Sequence, residues 1–287
     1  MAAPVAWVLN LDADFELANR GAWEPSSSLK EVLAQVSRQA ERLLAPGDIL
    51  VEEGARVPPG TVGRAWCPTR SALARLEAVG AVPEEAPSVE VLRAVNDRAF
   101  SASMGQTLSG AAFVVDLSSL RKVLRRRQVP WVLKRAFGAA GRGQRRVGPG
   151  ALTDSDVAWV EASLREGGLQ VEPLVEIEME FVVHGFLHKD GAVEIHEPLV
   201  QECDSQGAWQ QTRSAEAGEL APSEAAQLDQ SAFLVAGSLA KAGYFGPFGV
   251  DAYRWIKLSG ERLLNVRGEV NARYTMGWGL NLGRERV

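Results

Sequence analysis

The chain has 287 residues, of which 46% are hydrophobic and 23% are charged, and its net charge is −5. This length and composition are typical of a globular protein with one to three domains. The acidic balance argues against general nucleic-acid binding, which needs a basic surface.

The two cysteines, Cys67 and Cys203, form no CxxC motif, so neither a disulfide framework nor a cysteine zinc site is expected. The N-terminus carries no basic segment before an apolar stretch, and no run approaches the ~18 apolar residues of a membrane span. We therefore expect a cytoplasmic protein with no signal peptide and no membrane partner.

The first ninety residues alternate between strand and helix patterns. Short apolar runs at 5–11, 48–51 and 63–67 predict strands, and amphipathic patterns at 28–44 and 71–79 predict helices. Such alternation indicates a small parallel α/β sheet. We expect it to form an N-terminal domain over residues 1–90.

The next eighty residues contain a strand followed by glycines. A helix is predicted at 89–104, an extended run at 111–115, a strongly basic helix at 118–127 and a strand at 131–134. After the glycine-rich residues 138–143, residues 144–147 can return as a strand and 151–168 read as a helix. We assign residues 91–170 to a central α+β subdomain.

The remaining residues, 171–287, are expected to form a second α+β subdomain. The pattern predicts a long helix at 223–242 and two antiparallel strands around a turn at Ser259-Gly260, and the extended runs are 169–174, 180–187, 192–200, 249–255 and 262–270.

The glycine-rich loop is the first candidate for chemistry. Lys134 ends a strand, and Gly138, Gly141 and Gly143 follow it with Arg142 among them. Glycines allow backbone N–H groups to approach phosphate oxygens, and a lysine adds a point charge beside them. A Walker loop would need Lys-Ser or Lys-Thr after the last glycine, and a Rossmann motif would open a helix. A loop between two strands that covers a nucleotide fits better, and a hairpin tip without a ligand is the alternative.

Two carboxylates and an amide form the second candidate. Glu269 and Asn271 are two residues apart on a predicted strand and so project from the same face. Asp251, on the neighbouring antiparallel strand, can face them. Such oxygen ligands suit Mg²⁺, and the alternative is an exposed hairpin with solvated charges. Arg273 would follow on the same side.

An acidic extended segment is the third candidate. Glu172, Pro173 and Leu174 can offer backbone groups to an adenine edge, and Glu180 can accept hydrogen bonds from ribose hydroxyls. Glu172, Glu176 and Glu178 are alternatives for the ribose contact, and each acid could equally lie on a solvated face.

These three pieces, in this order, resemble the ATP-grasp superfamily. The stretches WVLKRAFGAAGRGQRRV, VEPLVEIEMEFVVHG and GVDAYRW…LLNVRGEVNAR carry the resemblance, which spans about residues 90–275. It implies a fold of mixed α/β and α+β class, in which an N-terminal parallel α/β domain precedes two α+β subdomains that enclose a nucleotide.

The resemblance also implies roles for single residues. Lys134 and the loop Gly138–Gly143 would contact ATP phosphates, residues 172–174 the adenine and Glu180 the ribose. Asp251, Glu269 and Asn271 would bind Mg²⁺, with Mn²⁺ as an alternative ion, and Arg273 and Arg213 would face the transferring phosphate. Arg98 stands where the superfamily usually has a first nucleotide-contacting lysine.

The implied activity is that of an ADP-forming ligase. ATP would activate a small-molecule carboxylate as an acyl phosphate, which an amine then attacks, and an amino acid or peptide is one substrate class. Asp12, Asp14 and Glu16, after the first strand, could contact the amine, and an acidic surface loop or the start of a helix is the alternative. The alternatives are a regulatory nucleotide-binding module without turnover, a small-molecule kinase, and a binding protein without nucleotide. A homodimer is common in proteins of this kind, and nothing in the sequence demands it.

Overall fold

The fold is described from a computed structural model that covers residues 3–19, 24–52, 54–138, 143–204 and 209–280. Three β-sheets follow one another along the chain. The first is parallel and the other two are antiparallel. This arrangement confirms the predicted combination of a parallel α/β unit with two α+β units.

The N-terminal sheet has four parallel strands in the order β2-β1-β3-β4. Its elements are β1 Val5–Val8, α1 Ala13–Ala18, α2 Ser27–Ala40, β2 Ile49–Leu50, β3 Val62–Ala65, α3 Arg70–Ala78 and β4 Val82–Pro83. The central strand β1 is buried along its whole length, as expected for a parallel sheet with layers on both faces. Ala6 and Val8 pack on one face with Leu76 of α3, whereas Trp7 faces a different core.

The middle sheet has four antiparallel strands in the order β5-β8-β6-β7. Its elements are α4 Val89–Asn96, α5 Arg98–Ser103, β5 Ala112–Val114, α6 Leu117–Leu124, β6 Trp131–Arg135, β7 Gln144–Val147, α7 Asp154–Glu166 and β8 Leu169–Pro173. One face packs on α6 and α7 through Leu120, Leu133 and Val160. The other face carries Lys134 and Glu172 and points away from this core.

The C-terminal sheet has six strands, five of them in the order β12-β11-β9-β13-β14 with β10 beside β9. Its elements are β9 Glu176–Leu187, β10 Val193–Ile195, β11 Leu199–Cys203, β12 Trp209–Ser214, α8 Pro222–Lys241, β13 Gly246–Ile256 and β14 Arg262–Asn271. The long helix α8 covers one face, where Phe181 and Val250 pack against Val235. The opposite face is free of α8 and carries Asp251 and Glu269.

The helix expected at 89–104 is divided at Asp97. Asp97 adopts an extended conformation (φ −72°, ψ 133°), and its carboxylate accepts a hydrogen bond from the backbone N–H of Ala99. A side chain that caps a new N-terminus ends one helix and starts the next. The break turns α5 and its first residue, Arg98, toward β14.

The N-terminal and C-terminal units share one hydrophobic core. The rings of Trp7 and Tyr274 pack edge to face with their centroids 5.2 Å apart, and those of Tyr274 and Trp278 do so at 5.3 Å. The backbone N–H of Tyr274 also donates to Trp66. The segment after β14 is therefore built against the N-terminal sheet.

The division into domains at residues 90 and 170 stays a prediction. Strand β8 runs across the second of these boundaries and pairs with β5 and β6, so all of it belongs to the middle sheet. None of the helices in the described part of the chain is both long and apolar enough to cross a membrane.

Candidate nucleotide and metal site

The two central acids lie opposite each other on β13 and β14. Asp251 pairs in register with Glu269, and the Nδ2 of Asn271 donates to the Oδ2 of Asp251 at 2.9 Å. The Nε2 of Gln201 on β11 donates to the other oxygen of Asp251 at 3.0 Å. The structure therefore brings Asp251, Glu269 and Asn271 together on one face, as the strand period predicts.

The two carboxylates differ in their electrostatic environment. Burial, and then the charge of Glu269, raises the pKa of Asp251 to about 7. Burial also acts to raise the pKa of Glu269, but Arg98, Lys134 and Arg273 outweigh it and leave that pKa below its usual value. Like charges directly across two strands repel each other, so this pair is poised to accept a cation.

Arg98 joins the middle and C-terminal sheets. Its Nη2 donates to the Oε1 of Glu269 at 2.6 Å, and its Nη1 donates to the carbonyl of Arg135 at the end of β6. The nearby charge of Glu269 keeps its pKa above the usual value although burial acts to lower it. The structure thus places Arg98 in the cleft between the two sheets.

Lys134 faces the acids from the middle sheet. Its Nζ lies 2.8 Å from the Oε2 of Glu172 on the adjacent strand β8. The charge of Lys134 also acts on Glu180 and Glu269, which places all three in the same cleft. Two opposed sheet faces, one basic and one acidic, therefore line this space.

The glycine loop connects two antiparallel strands, β6 and β7, as predicted from the failure of the Walker and Rossmann patterns. Gly138 and Gly143 flank its tip, whereas Gly141 and Arg142 lie outside the described residues. Gly143 has φ +80°, a conformation that side chains disfavour, and its carbonyl accepts from the N–H of Arg135.

The segment expected to bracket adenine has few free donors. Pro173 has no N–H, and the N–H of Leu174 donates to the carbonyl of Pro130 at 2.8 Å. Val175 lies between β8 and β9, outside both strand ladders. The backbone donors expected at residues 172–174 are therefore largely used within the fold.

Glu180 lies on β9, two residues from the row that holds Asp251. The Sγ of Cys203 contacts its Oε2 at 3.3 Å. Burial raises the pKa of Glu180, while Cys203 and Lys134 act to lower it. Its carboxylate is thus turned into the cleft beside Lys134 and not toward α8.

Arg273 is engaged by the N-terminal unit. Its Nε and Nη2 donate to the two carboxylate oxygens of Asp14 on α1 at 3.2 and 2.5 Å, and the two side chains are only 11% and 7% exposed. Glu16 instead accepts hydrogen bonds from Ser71 and Thr69 at the start of α3. Of the two, only Asp14 therefore approaches the candidate site.

Arg213 is not brought to the acids. It pairs with Val200 on β11, one residue away from Gln201, so its side chain leaves the sheet on the opposite face. There it forms ion pairs with Glu202 at 2.7 Å and Glu219 at 2.6 Å. The expected role of Arg213 beside the transferring phosphate finds no support in this geometry.

Two residues of the site have no recognisable signal in the sequence. Gln201 reaches Asp251 because β11 lies two strands away from β13, which no local pattern reveals. Asn96 accepts from the N–H of Ala272 through its Oδ1 and so fixes the end of β14 to α4. Asn96 and Ala272 are separated by 176 positions in the sequence, so periodicity cannot reveal this contact.

The donor set fits a hard divalent cation. Among the described residues no group of three or more His, Cys, Asp and Glu side chains is arranged to hold a metal ion. Two carboxylates with an amide, completed by phosphate oxygens, are nevertheless a common Mg²⁺ environment. The pKa of Asp251, raised by burial and by the neighbouring acid, is the sign of a carboxylate pair without enough positive charge.

The sequence matches no protein-family model and no curated protein. Solved structures are similar in fold at low identity. D-alanyl-alanine synthetase A from Vibrio cholerae superposes with a TM-score of 0.53 at 15% identity, over 95% of this chain and 89% of that one. N5-carboxyaminoimidazole ribonucleotide synthetase from Thermus thermophilus gives 0.51 at 18% identity, over 94% and 71%.

A third similar structure, N5-carboxyaminoimidazole synthetase from Staphylococcus aureus, is complexed with ADP. It gives a TM-score of 0.51 at 12% identity and covers 95% of this chain and 71% of that one. At these identities the likeness concerns the fold, and it confirms the resemblance at that level. The chain has the ATP-grasp fold.

Proposed function

We propose that the protein is an ATP- and Mg²⁺-dependent ligase that joins a carboxylate to an amine and releases ADP and phosphate. The observation that carries the proposal is the cluster of Asp251, Glu269 and Asn271 on one sheet face, with Lys134 opposite. An amino acid or a peptide is the substrate class that the resemblance favours. The enzymes of similar fold include one complexed with ADP, which supports a nucleotide in this cleft.

The proposed reaction has two steps that balance. A carboxylate oxygen of the substrate attacks the γ-phosphorus of ATP, and ADP leaves. The amine then attacks the acyl carbon, inorganic phosphate leaves, and the amine loses a proton to solvent or to the phosphate. Catalysis of this kind depends mainly on positioning and on neutralising negative charge.

The residues of the cleft divide these tasks. Mg²⁺, when bound, would neutralise negative charge on the phosphate groups. Asp251, Glu269 and Asn271 would hold it, after the amide of Asn271 turns its oxygen toward the ion. Lys134 would exchange Glu172 for a nucleotide phosphate, and Arg98 would keep Glu269 ionised.

The base and ribose would lie beside the segment between β8 and β9. Because Pro173 and Leu174 offer no free N–H, we assign the donor to the adenine edge to Val175 and the acceptors to nearby carbonyls. The carboxylate of Glu180 would accept from the ribose hydroxyls. Gly138, Gly143 and the intervening loop would cover the phosphates.

Arg273 would mark the acceptor side of the site. It lies two residues beyond Asn271 and is held by Asp14 at the start of α1. In parallel α/β sheets ligands bind beyond the carboxyl ends of the strands, and α1 follows β1 at such an end. The amine would therefore approach between α1 and the metal-binding acids.

The test is a thermal-shift titration with ATP, with and without Mg²⁺, followed by measurement of ADP release. Asp251→Asn is the sharpest variant, because the buried carboxyl has a pKa near 7 and the amide mimics its protonated form. The folded protein should survive this change, whereas the magnesium-dependent rise in melting temperature should disappear. Glu269→Ala should lose it as well.

Glu261→Gln is the matched control, since Glu261 lies on the same hairpin but is exposed and contacts Lys257. It should respond to Mg·ATP as the wild type does. An equal rise in Asp251→Asn would refute the metal assignment, and no rise in the wild type would refute ATP binding. The reaction products distinguish the ligase from the other nucleotide-binding alternatives. A small-molecule kinase would release ADP without inorganic phosphate, and a regulatory module would release neither ADP nor phosphate.

A further inference from the structure

A cavity of about 330 Å³ lies to one side of the candidate nucleotide cleft. Residues of α5, of the loop 105–108, and of β5, β8 and β14 line it. It shares Arg98 and Glu172 with the cleft, but Lys134, Glu180 and Asp251 do not contribute to its wall. The cavity therefore adjoins the space proposed for the nucleotide and shares part of its wall.

The main charged group of this cavity is Arg267 on β14. Arg267 is only 8% exposed, and its Nη2 donates to the carbonyl of Gly105 at 2.5 Å. In the described part of the chain no carboxylate lies within ion-pairing distance of it. Arg98 and Arg254 are buried to a similar degree, and each of them forms an ion pair.

A buried charge without a partner is unfavourable, and proteins generally pair such groups or use them to bind a ligand. The cavity reaches this guanidinium, since Arg267 is among the residues that line it. An oxyanion in the cavity would supply the counter-charge that the guanidinium of Arg267 lacks.

We propose that this cavity is a second ligand site, which binds the anionic group of a small polar molecule with Arg267 as its anchoring cation. Carboxylate and phosphate share the required chemistry, which is an oxyanion that accepts from a guanidinium fork. Asn265 and Thr107 also line the cavity, and both contact the backbone of Arg267. The cavity volume is within the usual range for small-molecule sites, about 300–1,000 Å³.

The experiment titrates the protein with inorganic phosphate and, separately, with succinate, at constant ionic strength, and follows the melting temperature. The wild type should show a saturable rise with at least one of them, because the anion binds only the folded state. Arg267→Met, which keeps the apolar stem, should bind that anion about tenfold more weakly or worse. The anion with the lower half-saturation identifies the source of the group.

Arg262→Met is the matched control. Arg262 is on the same strand, is 67% exposed and pairs with Glu178 outside the cavity, so its loss should leave the response to the anion intact. Arg267→Lys, which keeps the charge, should retain part of the response. Without anion, Arg267→Met should melt at or above the wild-type temperature, because an unpaired buried charge has been removed.

Two results would overturn the proposal. The first is the absence of any Arg267-dependent, saturable effect of either anion, together with a lower melting temperature of Arg267→Met, which would indicate a purely structural bond to Gly105. The second is competition between the anion and Mg·ATP, which would make the cavity part of the nucleotide site. Failure of Mg·ATP to bind at all would refute the proposed ligase and leave the anion titration interpretable.

Discussion

The ion pair between Asp14 and Arg273 fastens the N-terminal unit to the end of β14, and its removal should be severely destabilising. The perturbation is Asp14→Ala. Both side chains are nearly buried, and Arg273 donates to both carboxylate oxygens. After the substitution, Arg273 retains only its bond to the carbonyl of Tyr274 at 3.2 Å. A buried guanidinium then loses its hydrogen-bonded counter-charge, although the more distant Glu269 still acts on it.

The burial of the pair sets the magnitude. Exposed ion pairs contribute about 0–1 kcal/mol, whereas breaking a buried one by removing a single partner costs about 3–5 kcal/mol. At 11% and 7% exposure, Arg273 and Asp14 belong to the second class. Replacing both residues by apolar ones should recover much of the loss, because neither charge is then stranded.

The assay is urea unfolding, followed by circular dichroism, of the wild type, Asp14→Ala, Arg273→Met and the double variant. We expect each single variant to lose about 3–5 kcal/mol of unfolding free energy and the double variant to lose less than their sum. Lys257→Met, in an exposed pair with Glu261, should change stability by no more than about 0.5 kcal/mol. A loss below about 1 kcal/mol in Asp14→Ala, or additive effects in the double variant, would refute the reasoning.

Two further predictions concern the C-terminal sheet. Burial, with the nearby His196, lowers the pKa of His184 to about 3, whereas the unfolded-state pKa is about 6.5, so between these values the unfolded chain binds a proton that the folded chain does not. The free energy of unfolding should therefore fall by about 1.4 kcal/mol for each unit that the pH is lowered below about 6.5. Unfolding measured between pH 7 and 5 should show an uptake of about one proton less in His184→Gln than in the wild type. An equal pH dependence in the variant would contradict this. Gly185→Ala should lose about 1–3 kcal/mol, because its Cβ would lie 2.4 Å from the ring of Phe248, whereas Gly237→Ala, in α8 with nothing within 4 Å, should gain about 0.5–1 kcal/mol in the same urea titration. Loss of stability in both variants would contradict the packing argument.

Local patterns in the sequence predict most of the elements, and the reasons are local as well. Helical periodicity predicted the long helix α8. Two extended runs around a turn at Ser259-Gly260 predicted the hairpin of β13 and β14. The prediction of one helix over 89–104 was wrong in one respect, since Asp97 divides this segment into two helices. A capping side chain competes with a continuing helix, and periodicity alone does not reveal which prevails.

The candidate site was predictable only where one strand determines it. Glu269 and Asn271 share a face because side chains alternate along a strand. The same rule cannot tell which face of another strand points the same way, since that depends on register, and a shift of one residue reverses it. Arg213 is the example, because its pairing with Val200 sends it to the face opposite Asp251.

The sequence by itself determined the order of the pieces: a lysine before a glycine-rich loop, an acidic segment, and an acid followed by Glu-x-Asn. These follow from residue type and short-range spacing. Only the tertiary structure decided that Asp251 lies opposite Glu269, that Asp14 holds Arg273 and that Arg267 is buried with no carboxylate of the described residues beside it. The physical reason is that ion pairing and burial depend on neighbours far away in the chain, whose positions are fixed only when the sheets and helices pack together.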